Sequence, residues 1–177
     1  SLVAYAIIFR SLFANDGLVN YVLVNLGILD KPYNFLTQPF AAKMVIILAL
    51  LWRWTGYNMV FFLSGLQNIE YSVYEAAKID GASAIQTFFK ITVPLLKPTI
   101  LLTAIMSTNG TLQLFDESIN LTDGGPANAS ISMSHYIYNL CFKYVPNFGY
   151  AAAMSFFILL LVAVLAFIQM RVGDKRD

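Results

Sequence analysis

Tyr74-Glu75-Ala76-Ala77-Lys78-Ile79-Asp80-Gly81-Ala82-Ser83-Ala84-Ile85-Gln86-Thr87-Phe88-Phe89-Lys90, followed at once by Ile91-Thr92-Val93-Pro94-Leu95-Leu96-Lys97-Pro98, is the stretch that decides how this chain is read. Val73 to Ile79 supplies one or two turns of good helix formers. Gly81 permits a sharp change of backbone direction, and a second short helix is expected to begin near Ser83. Ala76 and Ala77 leave a low-profile surface that another protein can approach closely, with Glu75 and Asp80 at its margins. Pro94 and Pro98, which cannot donate a backbone hydrogen bond, mark the return to an apolar environment. The stretch reads as a helix-turn-helix elbow on a membrane surface. The plain alternative is an ordinary cytosolic loop between two spans.

The composition around the elbow explains why a membrane enters the reading. Of 177 residues, 58% are hydrophobic and only 12% are charged, against about 25% charged in an average soluble domain. Something other than water must solvate such a surface, and lipid is the economical answer. A membrane helix needs about 20 largely apolar residues. Phe40–Leu66 is long enough to span, with Arg53 inside it. Val93–Phe115 is apolar early and polar late. Tyr150–Met170 has no charge in its run. Leu2–Phe13 is apolar but short. Ser1 is not Met and no basic segment follows it, so the start does not resemble a signal peptide; it reads as a helix entered midway, in a fragment of a longer protein.

Between the spans, residues 15–39 hold turn-forming breakers around a short apolar stretch, Leu18–Leu29, expected to lie along the membrane interface. Gln67–Lys90 is the most polar stretch. Glu117–Ser130 contains the turn-forming Thr122-Asp123-Gly124-Gly125-Pro126. If Gln67–Lys90 is cytoplasmic, that side collects Lys78, Lys90, Lys97, Arg171, Lys175 and Arg176, against Arg10, Lys31, Lys43 and Lys143 on the other, in the direction of the positive-inside rule. Tyr136, Tyr138 and Tyr144 precede the last span, where a headgroup belt is expected.

Several function classes are disfavoured. Net charge is +1 and no basic stripe appears, which argues against nucleic acid. One cysteine, Cys141, cannot form an internal disulfide; it reads as a small hydrophobe. One histidine, His135, leaves no metal-ligand cluster, and it is expected at the surface or interface. Asp116 and Glu117 are expected to be solvated carboxylates at a helix end. No Walker A pattern is present. Nothing suggests a catalytic, cofactor or metal site. Polar groups inside a bilayer should face protein or a wet cavity, which draws notice to Ser107, Thr108, Asn109, Thr111 and Gln113. Ser107 and Thr111 share a helix face, as do Trp54 and Asn58. Asn109, on another face, reads as a helix–helix contact. Arg53, between Trp52 and Trp54, is expected to form a structural ion pair or, less simply, to bind an anionic solute.

The elbow resembles the EAA loop of ABC importer permeases of the carbohydrate-uptake group, the maltose and glycerol-phosphate type. Glu75-Ala76-Ala77, Asp80-Gly81 and Ile91-Thr92-Val93-Pro94 carry the resemblance; Val93 replaces a usual Leu, and Ile69-Glu70 stands where the family usually has Ile-Pro. Phe35-Leu36-Thr37-Gln38-Pro39, Leu121-Thr122-Asp123-Gly124-Gly125-Pro126-Ala127 and Phe148-Gly149-Tyr150-Ala151-Ala152-Ala153-Met154 resemble further family landmarks in order.

The resemblance implies an all-α polytopic protein, the MetI-like helical bundle of a type I ABC importer, lacking its N-terminal helices. Residues 1–177 would form one partial transmembrane permease domain, with the coupling loop at 69–92. Glu75, Ala76, Ala77, Asp80 and Gly81 would engage a cytosolic ATPase, with Glu75 facing a basic residue of it. Trp54, Thr55, Asn58, Ser107, Thr111 and Gln113 would contact a sugar; packing between helices is the competing role for them. The implied partners are a second homologous permease subunit, two ATPase subunits holding ATP and Mg, an extracellular or periplasmic solute-binding protein that the Asp123–Pro126 loop could touch, and lipid. The chain itself would not be an enzyme, and it would sit in a bacterial or archaeal cytoplasmic membrane. Rivals are a permease for glycerol phosphate or another small solute, an ATP-independent carrier or channel, and a membrane enzyme.

Overall fold

Ala42, Val45, Ile46 and Ala49 recur at helical spacing and are all buried, while Phe40, Met44, Ile47, Leu48, Leu51 and Trp52 of the same helix are exposed. Two of the four inward residues are alanines, whereas those facing outward are all large and apolar. That inverts the soluble pattern and suits a helix solvated by lipid, where small side chains let helices approach closely.

The computed structural model describes residues 2–173, and their secondary structure is entirely helical. The elements are α1 (Leu2–Leu12), α2 (Leu18–Asn25), α3 (Pro39–Gln67), α4 (Tyr71–Ile79), α5 (Ala84–Leu95, with a π-helical turn at Phe88–Thr92), α6 (Lys97–Leu112), α7 (Met133–Tyr138) and α8 (Phe148–Gly173). Two further π-helical turns, Ser118–Thr122 and Asn139–Lys143, lie between α6 and α8. α3 and α8 are each long and apolar enough to cross a membrane, and α5 with α6 forms a third candidate bent by 64°. The bend falls at Leu96-Lys97-Pro98. The expected single segment Val93–Phe115 is thus broken near its start and ends at Leu112. Lys175 and Arg176, used above for orientation, lie outside the described residues.

The chain divides into two compact units. The first comprises the chain up to Arg53 together with Gly110–Leu160. Its core is Tyr5, Ala6, Ile46, Ala49 and Leu121, with Phe9, Leu50 and Leu114 packed against it. In α2 the polar side chain points inward: Asn20 is buried, its amide donates to the carbonyls of Ala14 (3.0 Å) and Tyr33 (2.9 Å), and its oxygen accepts from the Tyr33 N–H (2.8 Å). Leu18, Tyr21, Val22 and Leu26 face outward, as an interfacial helix requires.

The second unit comprises Trp54–Asn109 and the chain from Leu161 onward. A Cβ on Gly65 would stand 2.8 Å from Thr99 Oγ1 and 2.9 Å from Leu96 Cδ2, so the end of α3 lies tight against the start of α6. Gln169 donates to Thr108 Oγ1 at 2.8 Å, and Gly173 lies against Leu101. α8 therefore runs antiparallel to α6 and ends beside its first turns. The C-terminal end of α8 thus lies at the end of this unit where α6 begins, after the elbow. Gly65→Val is expected to destabilise the protein by about 1–3 kcal/mol through overpacking, read as a lowered unfolding temperature in detergent or nanodiscs.

Candidate functional site: the elbow, the candidate lining and a buried ion pair

The elbow forms as its residues dictate. α4 ends where the Asp80 N–H bonds the Ala76 carbonyl and Gly81 adopts φ +73°, a left-handed conformation that glycine takes without strain. Nothing lies within 4 Å of a Cβ placed on Gly81, so backbone conformation rather than space selects the residue. Ser83 then caps α5 with a complete capping box: its hydroxyl accepts from the Gln86 N–H, and the Gln86 side chain accepts from the Ser83 N–H at 2.8 Å. Tyr74 Oη and Thr92 Oγ1, 3.3 Å apart, tie the two arms together.

Glu75, Ala76, Asp80 and Gly81 are exposed, whereas Ala77 packs inward at 5% exposure. Ile79, Ile85, Phe88 and Phe89 are exposed beside them. An apolar surface with carboxylates at its edge, at one end of the unit, fits a protein partner better than water.

The candidate lining divides between the units. Asn58 and Ser107 meet directly: the amide nitrogen is 3.1 Å and the amide oxygen 3.2 Å from the hydroxyl. In this structure they satisfy one another, which is the helix-to-helix role weighed against sugar contact. Trp54 sits edge-on to Tyr57, with centroids 5.4 Å apart. Thr55 is exposed on α3. Thr111 and Gln113 belong to the first unit, and both are exposed. Gln169–Thr108 is a polar contact between helices that the sequence reading left unassigned beyond the polar cluster.

Two clusters depart from the sequence expectation. Glu117 is 1% exposed rather than solvated; Arg53 Nη1 lies 2.6 Å from its Oε1, and the Tyr5 hydroxyl donates to the same oxygen. Arg53 accordingly makes the structural ion pair. A carboxylate this deep needs its partners, because an unpaired buried charge is strongly destabilising. The sequence signal available was a lone Arg in an apolar span with one carboxylate pair after the next span.

His135 is fully buried, not at the surface. Ser118 Oγ donates to the Ser130 carbonyl (2.9 Å), accepts from the Ser132 N–H (3.2 Å) and lies 2.8 Å from His135 Nδ1. Its one proton is thereby used, so Nδ1–H is the donor and Nε2 carries the lone pair, 3.8 Å from Asp123 Oδ1. Gly124, at φ +77°, brings its backbone against the imidazole. His135 thus backs the Asp123–Pro126 turn, and Lys143 holds Asp123 from outside at 3.2 Å.

Comparison with known proteins shows what the chain is similar to. Residues 2–176 match the family described as "Binding-protein-dependent transport system inner membrane component". The lactose transport system permease protein of Rhizobium radiobacter is 55% identical over 99% of this chain and 60% of its own length. The trehalose/maltose transport system permease protein of Thermococcus litoralis is 37% identical over 90% of this chain and 53% of its own length. Among solved structures, a bacterial ABC transporter involved in import of the acidic polysaccharide alginate superposes with a TM-score of 0.84 at 25% identity, over 98% of this chain and 60% of that one. The chain therefore spans a little over half the length of these relatives, and it shares their MetI-like fold.

The His135 cluster has a pH consequence. Burial holds the imidazole pKa below its ordinary value of 6.5; Asp123 opposes that shift and Lys143 adds to it. The folded state binds this proton less readily than the unfolded state, so its stabilising contribution is present above the unfolded value and lost as pH falls below it. Unfolding temperature is expected to drop between about pH 7.5 and pH 5.5, with a flatter profile in His135→Gln. An unchanged slope in that variant would place the titration on another group.

Proposed function

The chain belongs to the binding-protein-dependent transport system inner membrane component family, and from that premise we propose that it is part of an ABC importer permease subunit that carries a sugar or small oligosaccharide across the cytoplasmic membrane. The observation that carries the reading is the elbow: two short helices joined at a left-handed glycine, exposed and apolar, at the end of the unit where α3, α6 and α8 are packed.

Such a device suits force transfer. Glu75 and the exposed Ala76, Asp80 and Gly81 form the margin of a knob that seats in a cleft of a cytosolic ATPase subunit, with Ala77 setting how closely α4 packs to its own arm. ATP-driven closure of two such subunits moves the knob, and helices continuous with it alternate the pathway between the two sides. ATP and Mg belong to those partners, and hydrolysis takes place there. A second homologous permease subunit completes the pathway. A solute-binding protein delivers the sugar; one related alginate transporter was solved in complex with an alginate pentasaccharide-bound periplasmic protein.

The sugar assignment rests on relatives named for lactose and trehalose/maltose transport and on the neutral character of the candidate lining. In the second unit Trp54 offers a ring for C–H faces, while Asn58, Ser107 and Thr55 offer hydroxyl-pairing groups; Thr111 and Gln113 offer groups of the same kind in the first. Asn58 and Ser107 would exchange their mutual bond for bonds to sugar, which keeps them satisfied when the pathway is empty.

Two measurements test the reading. Glu75→Ala and Gly81→Val should lower co-purification with the ATPase subunit and sugar uptake together, while membrane insertion is retained; undiminished association would sink the coupling role. In reconstituted complexes, Asn58→Ala and Ser107→Ala should raise KM for the transported sugar by about three- to tenfold, the equivalent of one hydrogen bond. A fall in thermal stability with KM unchanged would assign the pair to helix packing alone.

A further inference from the structure

Nε2 of His135 is an acceptor without a donor. The residue is fully buried and no hydrogen-bond partner meets that nitrogen. An enclosed polar atom left unpaired is rare in a folded protein and calls for a reason. Asp123 Oδ1 stands 3.8 Å away, and the Asp123 side chain is 64% exposed. The gap is too long for a hydrogen bond, yet a side-chain rotation at the surface closes it.

The other ring nitrogen is already committed. Nδ1–H donates to Ser118 Oγ, which also ties Ser130 and Ser132. A second proton leaves that bond intact, because both nitrogens of an imidazolium donate. Only Nε2 changes, from a lone pair lacking a donor to an N–H lacking an acceptor. Among the described residues two charged groups act on the ring: Asp123 from the turn, and Lys143 from the π-helical turn Asn139–Lys143. Phe115, edge-on with centroids 6.0 Å apart, Ser118 and Gly124 are neutral walls. Glu117, beside Ser118, is taken up by Arg53 and Tyr5.

With the imidazole neutral, Asp123 holds Lys143, whose Nζ lies 3.2 and 3.3 Å from the two carboxylate oxygens. The turn is built to feel a change of partner. Asp123, Ala127 and Asn128 have φ of +49°, +49° and +61°, in the left-handed region that favours glycine. Bonds from Ser118 and Thr122 to Ser130, and from the Ser130 N–H to the Gly124 carbonyl, keep the chain in that shape. Asp123 opens the stretch, so a shift of its carboxylate alters the rim of the turn.

We propose that His135 and Asp123 form a proton-operated latch: on acidification the imidazolium draws the Asp123 carboxylate inward, Lys143 is released, and the Asp123–Pro126 turn presents a different face to its partner. The partner is the solute-binding protein, whose docking thereby weakens; this last clause rests on the function proposed above.

The test uses the assembled transporter in nanodiscs. Deuterium exchange at the imidazole C2–H, read by mass spectrometry on the peptide holding His135, gives its titration midpoint. Asp123→Asn should lower that midpoint by about half a unit or more, and Lys143→Gln should raise it. Modification of Lys143 by an amine-reactive reagent reads the release itself. At about pH 6 it should run about twofold or more faster in the wild type than in His135→Gln, and at about pH 8 the two rates should agree. Should His135→Gln fail to assemble, Asp123→Asn supplies the comparison. Its Lys143 lacks the carboxylate at every pH, so wild type and variant should differ at about pH 8 and converge at about pH 6.

A midpoint indifferent to Asp123→Asn, or Lys143 reactivity that shows no such pH-dependent difference, would overturn the latch. So would a midpoint that follows Asn139→Leu instead, since the Asn139 carboxamide oxygen is also buried without a partner and would then be the acceptor. Affinity for the solute-binding protein should fall from about pH 7.5 to pH 5.5 by about threefold more in the wild type than in Asp123→Asn. Equal falls in the two proteins, with the midpoint and Lys143 results as expected, would keep the latch and overturn its link to docking. No docking at either pH would count against the proposed function and leave the latch standing on its own two readouts.

Discussion

A bilayer offers no hydrogen-bond partner, and that constraint governs the polar groups set among this chain's apolar helices. Asn20 sits on the inner face of an outwardly apolar helix, bonded to Ala14 and Tyr33. Gln169 reaches Thr108 across two helices, and Asn58 meets Ser107. Glu117 holds both Arg53 and Tyr5. The last three join segments that are distant in sequence. In water these groups would be solvated by default and would order nothing; in lipid the cost of leaving them unpaired makes them ties. The packing core is thin because it needs to be: Ala6, Ala42 and Ala49 are fully buried and admit close helix approach, while the larger apolar side chains are left to the lipid.

The elbow obeys the opposite logic. It is the place where backbone leaves helical geometry in water, and its stops are local. Gly81 turns the chain at φ +73°, and the Ser83–Gln86 capping box starts the next arm within two residues. The coupling role proposed above would need such a short, stiff connection, since slack in the turn would absorb the movement. The apolar residues exposed on it, Ile79 and Ile85 above all, are the part of the polar stretch that water does not explain.

Most of the architecture was legible in the sequence because hydropathy and turn chemistry are local. Phe40–Leu66 and Tyr150–Met170 fall inside α3 and α8, and Gly81 and Ser83 punctuate as their chemistry dictates. What was not legible is pairing across the chain. Glu117 looks like any carboxylate after a helix end; only the approach of Arg53, distant in sequence, reveals a buried ion pair. His135 looks like a surface histidine because nothing near it in sequence shows that Ser118 and Gly124 close over it. The alanine pair shows the same limit at short range: two identical residues in one turn, of which one faces out and one in.

The segment from Asp116 to Lys143 draws these arguments together. Read for hydropathy, it is a loop, because its polar residues are too frequent for a span. Yet Leu121 is 1% exposed and belongs to the core, and Ser118, Glu117, His135 and Asn139 are buried polar groups concentrated within the segment. A solvent-exposed loop has no reason to bury so many polar side chains, and a lipid-exposed one could not. The pattern is that of a folded insert whose inward polar groups bond one another. Composition along the chain cannot separate such an insert from an ordinary connection; the burial of Glu117 against Arg53 does.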